Sequence, residues 1–457
     1  MSTSVEFPGL IWVKDPVDLQ GIWWVPDEPE RQRAGVLTWD PAKGATLKLV
    51  GRLAAEVWEE RTLPDGGKQF FNRLLNVTPR YPVILGDCSG VPVTLLDGLQ
   101  TELSNVLLGE NAHETVHADR AVIGTALFDT EVVADRLTVS IQHLTAFVGR
   151  GGIELDWPPS TGPGSAFAQI TASYPDEHQI VIGSRPVSLV AHLWVTGDRV
   201  HDAAVRQEWR LRCAADADVP LDGLMVTAGD VQDLVTIAIG RPAAYGEIGI
   251  SRTGFIQQHE DLGPHRADDS KFYAVWTTRT DPGPLVKPHE RLFTYDDLGA
   301  EEGLGRWLVV AEKYRTQLRR VMATRYSRDM YREDRILNIC AALEAFDVVR
   351  RNLKQIPTFA KQMDACVSLA GEPFLDLIAQ NADAWVTAVK DVRHDIAHHR
   401  QPMRDNASGA TYGLSVQVYW LFVMCMLREA NAPERVWERI AAHPSIGNLK
   451  DHLASAT

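Results

Sequence analysis

The chain is 457 residues long, carries a formal net charge of −14, and is 45% apolar and 23% charged. That length suits about two or three domains and the composition excludes dominant disorder, while the acidic balance argues against sequence-independent coating of nucleic acid, whose phosphates repel a net-negative surface. Cys88, Cys213, Cys340, Cys366 and Cys425 are scattered and form no CxxC pair, which argues against a disulfide framework or a cysteine-ligated zinc and makes the reducing cytoplasm the expected compartment.

The N-terminus, MSTSVEFPGLIWVKD, has no basic segment leading into an apolar run, so no signal peptide is expected. From there to about residue 300, short period-two apolar runs recur between Gly, Pro, Asp and Asn: GVLTWD, ATLKLVG, FNRLLNVT, YPVILGD, VPVTLLDG, RLTVSIQHL, HQIVIGS and SLVAHLWV. Such runs, without intervening amphipathic helices, predict antiparallel strands in a sandwich-like arrangement. Trp23 and Trp24 are adjacent on one run, so they face opposite sides and at least one belongs in a core. The GRGG stretch Gly149–Gly152 lacks the Lys-Ser/Thr of a phosphate loop and reads as a turn. Asp156–Ala166 (DWPPSTGPGSA) is a Pro/Gly/Ser break, either a long loop or a subdomain hinge.

Beyond about residue 300 apolar residues recur at spacings of three and four. The pattern predicts helices over Gly305–Arg325, Tyr331–Lys354, Phe374–Val392 and Thr411–Ala430, a shorter one after Pro433, and a minor one around Thr358–Leu369. Short connections make neighbours antiparallel, so these form an all-α bundle. Val416–Leu427 (VQVYWLFVMCML) falls well short of the ~20 residues of a membrane span and reads as a buried helix, so no membrane partner is expected. The predicted class is α+β and multidomain: an antiparallel β-rich domain over 1–300, subdivided near 156–166, then a helical domain over 301–457. Between Lys313 and Lys354 there are eleven Lys or Arg against five Asp or Glu. That basic concentration is either a functional face or the wet side of two amphipathic helices.

The segment Val392–Arg400, VRHDIAHHR, gathers three histidines and two arginines, and three readings compete for it. In the first, His394 and His398 lie about 40° apart on a helix and share a cation. HDIAH then resembles a degraded HExxH zinc helix, with Asp395 where the base calls for Glu and no marked third ligand. In the second, Arg393 and His398 cleave RNA without a metal, because RNA carries its own nucleophile, the 2′-hydroxyl. Neutral imidazole takes that proton as general base, and guanidinium holds the phosphate oxygens as charge builds. An imidazole base of ordinary pKa loses activity below about pH 6. Residues five apart on an unbroken helix point about 140° from each other, so this site needs a kink or, as preferred here, two subunits. In the third reading the segment is a basic last turn complementing a helix dipole. Residues alone therefore reach a helical domain with a metal-independent phosphodiester site among its readings.

A resemblance bears on the choice. A bundle in which one helix carries ALE (Ala342-Leu343-Glu344) and a later long helix runs into R-x4-H, with Ala before the His, resembles the HEPN ribonuclease domains over about 310–445. RHDIAH is similar to their R-[polar]-x3-H motif, which ApeA-type members write as RNxxAH; here His394 stands in place of Asn. GIWWVP (Gly21–Pro26), Gly35-Val36-Leu37 and ATLKLVG (Ala45–Gly51) resemble the opening of the β-rich ApeA N-terminal domain. LFTYDDL (Leu292–Leu298) is similar to that family's junction before the first long helix.

The resemblance implies an anti-phage protein of the abortive-infection type. Its HEPN domain would be a metal-independent endoribonuclease needing no cofactor, cutting RNA such as tRNA, and dimerising through the helical domain. The β-rich half would restrain it or sense a phage-derived trigger. The implied catalytic set is His398 as general base or acid, Arg393 as phosphate holder, His394 to orient the imidazole or donate to the leaving oxygen, and Glu344 against the motif arginine. Glu344 has a second reading as a helix-face carboxylate paired with Arg350 or Arg351. His399, Arg400, Asp395, Arg350 and Arg351 form the substrate-binding set, with Asp395 also suited to fixing a histidine tautomer or to a surface salt bridge. Other classes stay open: a non-catalytic bundle that binds RNA or a partner, a ligand-binding or carbohydrate-active β-sandwich with a helical dimerisation arm, and a zinc hydrolase using HDIAH.

Overall fold

A computed structural model describes residues 16–54, 58–64, 66–72, 78–104, 113–158, 162, 168–182, 185–198, 201–252, 256–259, 263–266, 270–278, 280, 283–327, 329–398 and 407–447. An antiparallel β-rich region comes first and a helical region follows. The chain divides into two compact units: Met1–Ser140 with Arg212–Met225 and Ala244–Arg279, and Ile141–Leu211 with Val226–Ala243 and Thr280–Thr457.

In the first unit the sandwich-like expectation takes the form of a closed barrel. Strands Arg80–Cys88, Val17–Trp24, Arg33–Asp40, Gly44–Val50, His113–Ala118 and Val91–Ser104 pair in that order, and the last pairs back onto the first. All six contacts are antiparallel, so within this ring no strand edge is left open. Closure depends on the length of Val91–Ser104: residues from Leu99 on pair with His113–His117, whereas Val93–Leu96 pair with Arg120–Ile123 and continue the sheet outward. Outward lie Ser270–Ala274, Tyr245–Ser251, Val133–Ile141 and Ala204–Pro220. The expected strand FNRLLNVT is described only at its ends: Phe71 and Asn72 close a strand, and residues 73–77 lie outside the described residues.

The buried side chains of the barrel strands are mainly apolar, around one buried carboxylate. Trp23, Leu47, Leu49, Ile84 and Val116 are buried, and Trp24 is half-buried, as alternation along a strand requires. Gly86 lies opposite Trp23 in the register, and the indole leaves no room there for a Cβ. That carboxylate is Glu114, fully buried, which accepts from Leu53 N (2.7 Å), Tyr81 Oη (2.6 Å) and Gln100 Nε2 (2.7 Å). Three donors offset the cost of taking that carboxylate out of water, and burial beside Glu114 pushes the Tyr81 phenol well above its usual range.

The second unit is mainly helical. Its helices and those feeding it are α1 (Leu144–Val148), α2 (Leu221–Ile239), α3 (Tyr295–Leu298), α4 (Ala300–Lys313), α5 (Arg315–Tyr326), α6 (Arg332–Arg351), α7 (Phe359–Ala370), α8 (Glu372–Leu377), α9 (Ala382–His398), α10 (Ala407–Glu429) and α11 (Glu434–Ala442). GRGG follows α1 as an irregular link to the strand Ile153–Asp156, with Gly149 capping the helix at a left-handed φ of 70°. The break at 156–166 lies largely outside the described residues. The strand His178–Ile182 is tied to α4 by His178, whose Nδ1 is 2.7 Å from Glu301 Oε1 and whose ring stacks on Trp209.

Three differences from the sequence pattern have physical causes. A nineteen-residue helix, α2, sits inside the β-rich stretch; every residue from Asp230 to Ile239 is buried, so no polar face marks it as a helix. The single helix expected over Gly305–Arg325 is two, α4 and α5. Tyr314 leaves helical geometry at the break to pack 4.5 Å from Phe346 and donate to Glu429 Oε2. The helix expected over Phe374–Val392 divides at Ala379 and Gln380, both at positive φ, and α9 restarts behind Asn381, whose side chain accepts from Ala384 N at 3.3 Å. Residues Val418–Leu427 of α10 are buried on every side, and among the described residues no helix is long and apolar enough to cross a membrane.

Candidate active site

Helix α9 carries Arg393 through His398 without a break. Its inner face is set by Trp385, Val386 and Val389, which are buried, with the Trp385 indole donating to Gln417 Oε1 at 2.8 Å. Arg393 follows Val389 by one turn and continues that face. Asp391, His394, Asp395 and Ala397 are exposed.

The inward turn of Arg393 brings it to α6. Its Nη2 donates to Glu344 Oε2 at 2.8 Å, and its guanidinium lies 4.7 Å from the centre of the Phe359 ring at the start of α7. Both partners are half-buried, at 35% and 26% side-chain exposure, which puts the pair above an exposed ion pair in worth without the full cost of dehydration. Carboxylate and ring together fix the guanidinium plane and, among the described residues, leave other N–H donors unspent. Around them, Gln362 Nε2 donates to the Glu344 backbone oxygen at 3.1 Å, and its own Oε1 is buried with no partner among the described residues. Burial pushes the Cys340 thiol, one turn before Glu344, up to about 12, with Arg393 opposing the shift and Glu344 adding to it.

Arg350 and Arg351 are committed elsewhere. Both turn to Asp347, which is fully buried: Arg351 Nε donates to Oδ1 at 2.6 Å, Arg351 Nη2 is bonded to Oδ2, and Arg350 Nη2 stands 4.0 Å away. The alternative pairing of Glu344 with Arg350 or Arg351 is thus not the one formed, because Asp347 is nearer to both along α6 and accepts from them first. His394 and Asp395 share the exposed side of α9. Position 398 lies about 40° around the helix from position 394 and about 140° from Arg393. The His398 side chain, and His399 and Arg400 altogether, lie outside the described residues.

Of the sequence-derived set, then, Arg393 and Glu344 meet; Arg350 and Arg351 form a separate cluster one turn on. Phe359, Gln362 and Asp347 were not anticipated. Only Asp347 left a signal, the i, i+4 spacing to Arg351.

Barrel, outward sheet and helical bundle with an inward-turned arginine define a two-part protein in which a β-rich region precedes a polar site on helices. Residues 18–307 match ApeA N-terminal domain 1, and the chain belongs to that family. The match includes GIWWVP, ATLKLVG and LFTYDDL, the phrases that carried the resemblance, and ends inside α4, before α6 and α9. No curated protein and no solved structure matches the chain.

Proposed function

We propose that the chain is a metal-independent endoribonuclease of the HEPN type, acting in anti-phage defence, with Arg393 and His398 as its reactive pair. The observation that carries the reading is the Arg393–Glu344–Phe359 arrangement: a guanidinium held at a fixed plane, five residues before a histidine position on an unbroken helix. Membership of the ApeA family supports the defence role.

In the reaction His398 takes the proton of a ribose 2′-hydroxyl as its oxygen attacks the adjacent phosphorus. The unspent N–H groups of Arg393 hold the non-bridging oxygens while the phosphorane forms. The 5′-oxygen then leaves with a proton, from protonated histidine or from His394, giving a 2′,3′-cyclic phosphate and a 5′-hydroxyl. Since Arg393 and the 398 position diverge on one helix, the working site combines Arg393 of one subunit with His398 of another in a homodimer. RNA, tRNA among the choices, is the substrate; Asp395, His399 and Arg400 contact it or set a tautomer.

The test is cleavage of total bacterial RNA in EDTA by wild type and His398→Ala side by side, with fragment ends mapped. Wild-type cleavage leaving cyclic phosphate ends, reduced by roughly 10²–10⁴ in the variant, is expected. Equal cleavage by both proteins, or loss of wild-type cleavage in EDTA, overturns the reading.

A further inference from the structure

The barrel carries an open groove of about 860 Å³ on its outer surface, within the first unit and unused by the ribonuclease reading. Its volume falls in the range of small-molecule sites, roughly 300–1,000 Å³. One row of outward side chains crosses it. Asp87 stands opposite Ile22, Ile22 opposite Ala34, and at the far side Val50 opposite His113. The two ends of the row are four strand spacings apart, ~19 Å at ~4.8 Å per strand. Ala34, the smallest side chain of the row, keeps the floor low. Around it Ile22 and Val50 are 39% and 52% exposed, so the floor is apolar and open to water.

The groove gives the paired tryptophans different tasks. Trp23 turns into the barrel core, whereas Trp24 turns out, two residues beyond Ile22 on the same face. Among the described residues no hydrogen bond or ring contact ties down the Trp24 indole, and the side-chain amides of Gln20 and Gln32 at the rim are equally unengaged. Asp87 is held in place. Gly90 N donates to its Oδ1 at 2.7 Å, which orients the carboxylate and leaves Oδ2 to accept from a ligand. An aromatic face, a fixed acceptor and two amides thus surround one low apolar floor.

The rim charges narrow the ligand class. Lys48 and Asp87 are the lysine and the carboxylate that line the groove, opposite in sign and three strands apart. A phosphate therefore meets no cluster of cations, and a cation no cluster of carboxylates. A wholly apolar ligand would cover the amides and the carboxylate without pairing them, at a cost in free energy. A neutral molecule with an apolar face and many hydroxyls meets both needs. In a pyranose the axial C–H groups form such a face and lie on an indole, while the ring hydroxyls donate to carboxylate and amide oxygens and accept from amide N–H groups.

We propose that this groove binds an oligosaccharide, with one sugar ring on Trp24, a hydroxyl of that ring donating to Asp87 Oδ2, and the following units running over Ala34 toward His113. This holds whether or not the helices cleave RNA. The test is binding of the labelled full-length protein to a printed glycan array, followed by calorimetric titration with the best oligosaccharide, its monosaccharide, AMP and an RNA hexamer. The oligosaccharide is expected to bind with a Kd under ~1 mM, more tightly than the other three. Trp24→Ala and Asp87→Asn, each with its melting temperature checked, are expected to weaken it at least tenfold, and Trp24→Phe, which keeps a ring, to weaken it less than Trp24→Ala. Ala34→Arg, which fills the exposed floor, serves if Trp24→Ala unfolds. A blank array, binding unchanged in the folded variants, equal affinity for the monosaccharide, or tighter binding of AMP or the hexamer overturns the proposal.

Discussion

Arg393 has two fixed neighbours, and the reading of the site depends on what they do to its guanidinium. Glu344 takes one donor and Phe359 one face. Glu344→Ala is expected to lower RNA cleavage roughly 10–100-fold, the worth of a hydrogen bond to a charged group, whereas Glu344→Gln keeps an acceptor and retains most of the rate. Steady-state cleavage by the two variants checks this; equal losses would point to charge rather than orientation. Arg393→Lys keeps the charge but not the fork, and is expected to fall well below wild type in the same assay.

A second residue, remote from the site, has a pH signature. Asp233 on α2 accepts from Tyr326 Oη at 2.6 Å, and burial, with a smaller push from Asp230, raises its pKa to about 8 against the opposing hydrogen bond and Arg319. A carboxyl raised on folding contributes stability in full below its unfolded pKa of about 4, and loses it as pH climbs through about 8. Melting temperatures from pH 5 to 9 are therefore expected to fall more steeply for wild type than for Asp233→Asn, which stays neutral and keeps the acceptor. Parallel curves would show that Asp233 is ionised throughout.

At the scale of elements, one buried carboxylate links three barrel strands, Arg80–Cys88, Val91–Ser104 and His113–Ala118. Glu114→Ala strands the donors of Leu53, Tyr81 and Gln100, and is expected to cost about 2–4 kcal/mol in chemical denaturation. Strands and most helices were legible because their apolar residues alternate or recur at three and four. Closure was not legible, since it depends on Val91–Ser104 changing partners partway along, which no period records. Helix α2 escaped for the opposite reason: its second half, Asp230–Ile239, is buried on all sides and shows no amphipathic rhythm. The divisions at Tyr314 and at Ala379–Gln380 are set by tertiary contacts and left-handed backbone, which override a continuous helical pattern. Within the site, Arg393 and Glu344 were singled out through the resemblance to the HEPN motifs, whereas Phe359 and Gln362 come from a third helix that only folding brings near.

At the scale of the whole molecule, the helical unit is assembled from three stretches of chain. Asp230 O accepts from the Trp307 indole at 2.8 Å, Arg315 pairs with the Asp230 carboxylate at 3.3 Å, and Arg325 donates to Gly240 O at 2.9 Å. A fragment of residues 301–457 lacks α2 and is expected to expose Trp307 and unfold at lower denaturant than the same helices in the intact chain. The central claim also lives at this scale: a metal-free site shared by two subunits. Mixing refolded Arg393→Ala with His398→Ala tests it most directly, because a mixed dimer rebuilds one intact Arg393–His398 pair. Each variant alone is expected to be inactive in EDTA, and an equimolar mixture to recover about a quarter of wild-type cleavage, half of the dimers each carrying one of two sites. A mixture as silent as its components, beside an active wild type, would contradict the shared site.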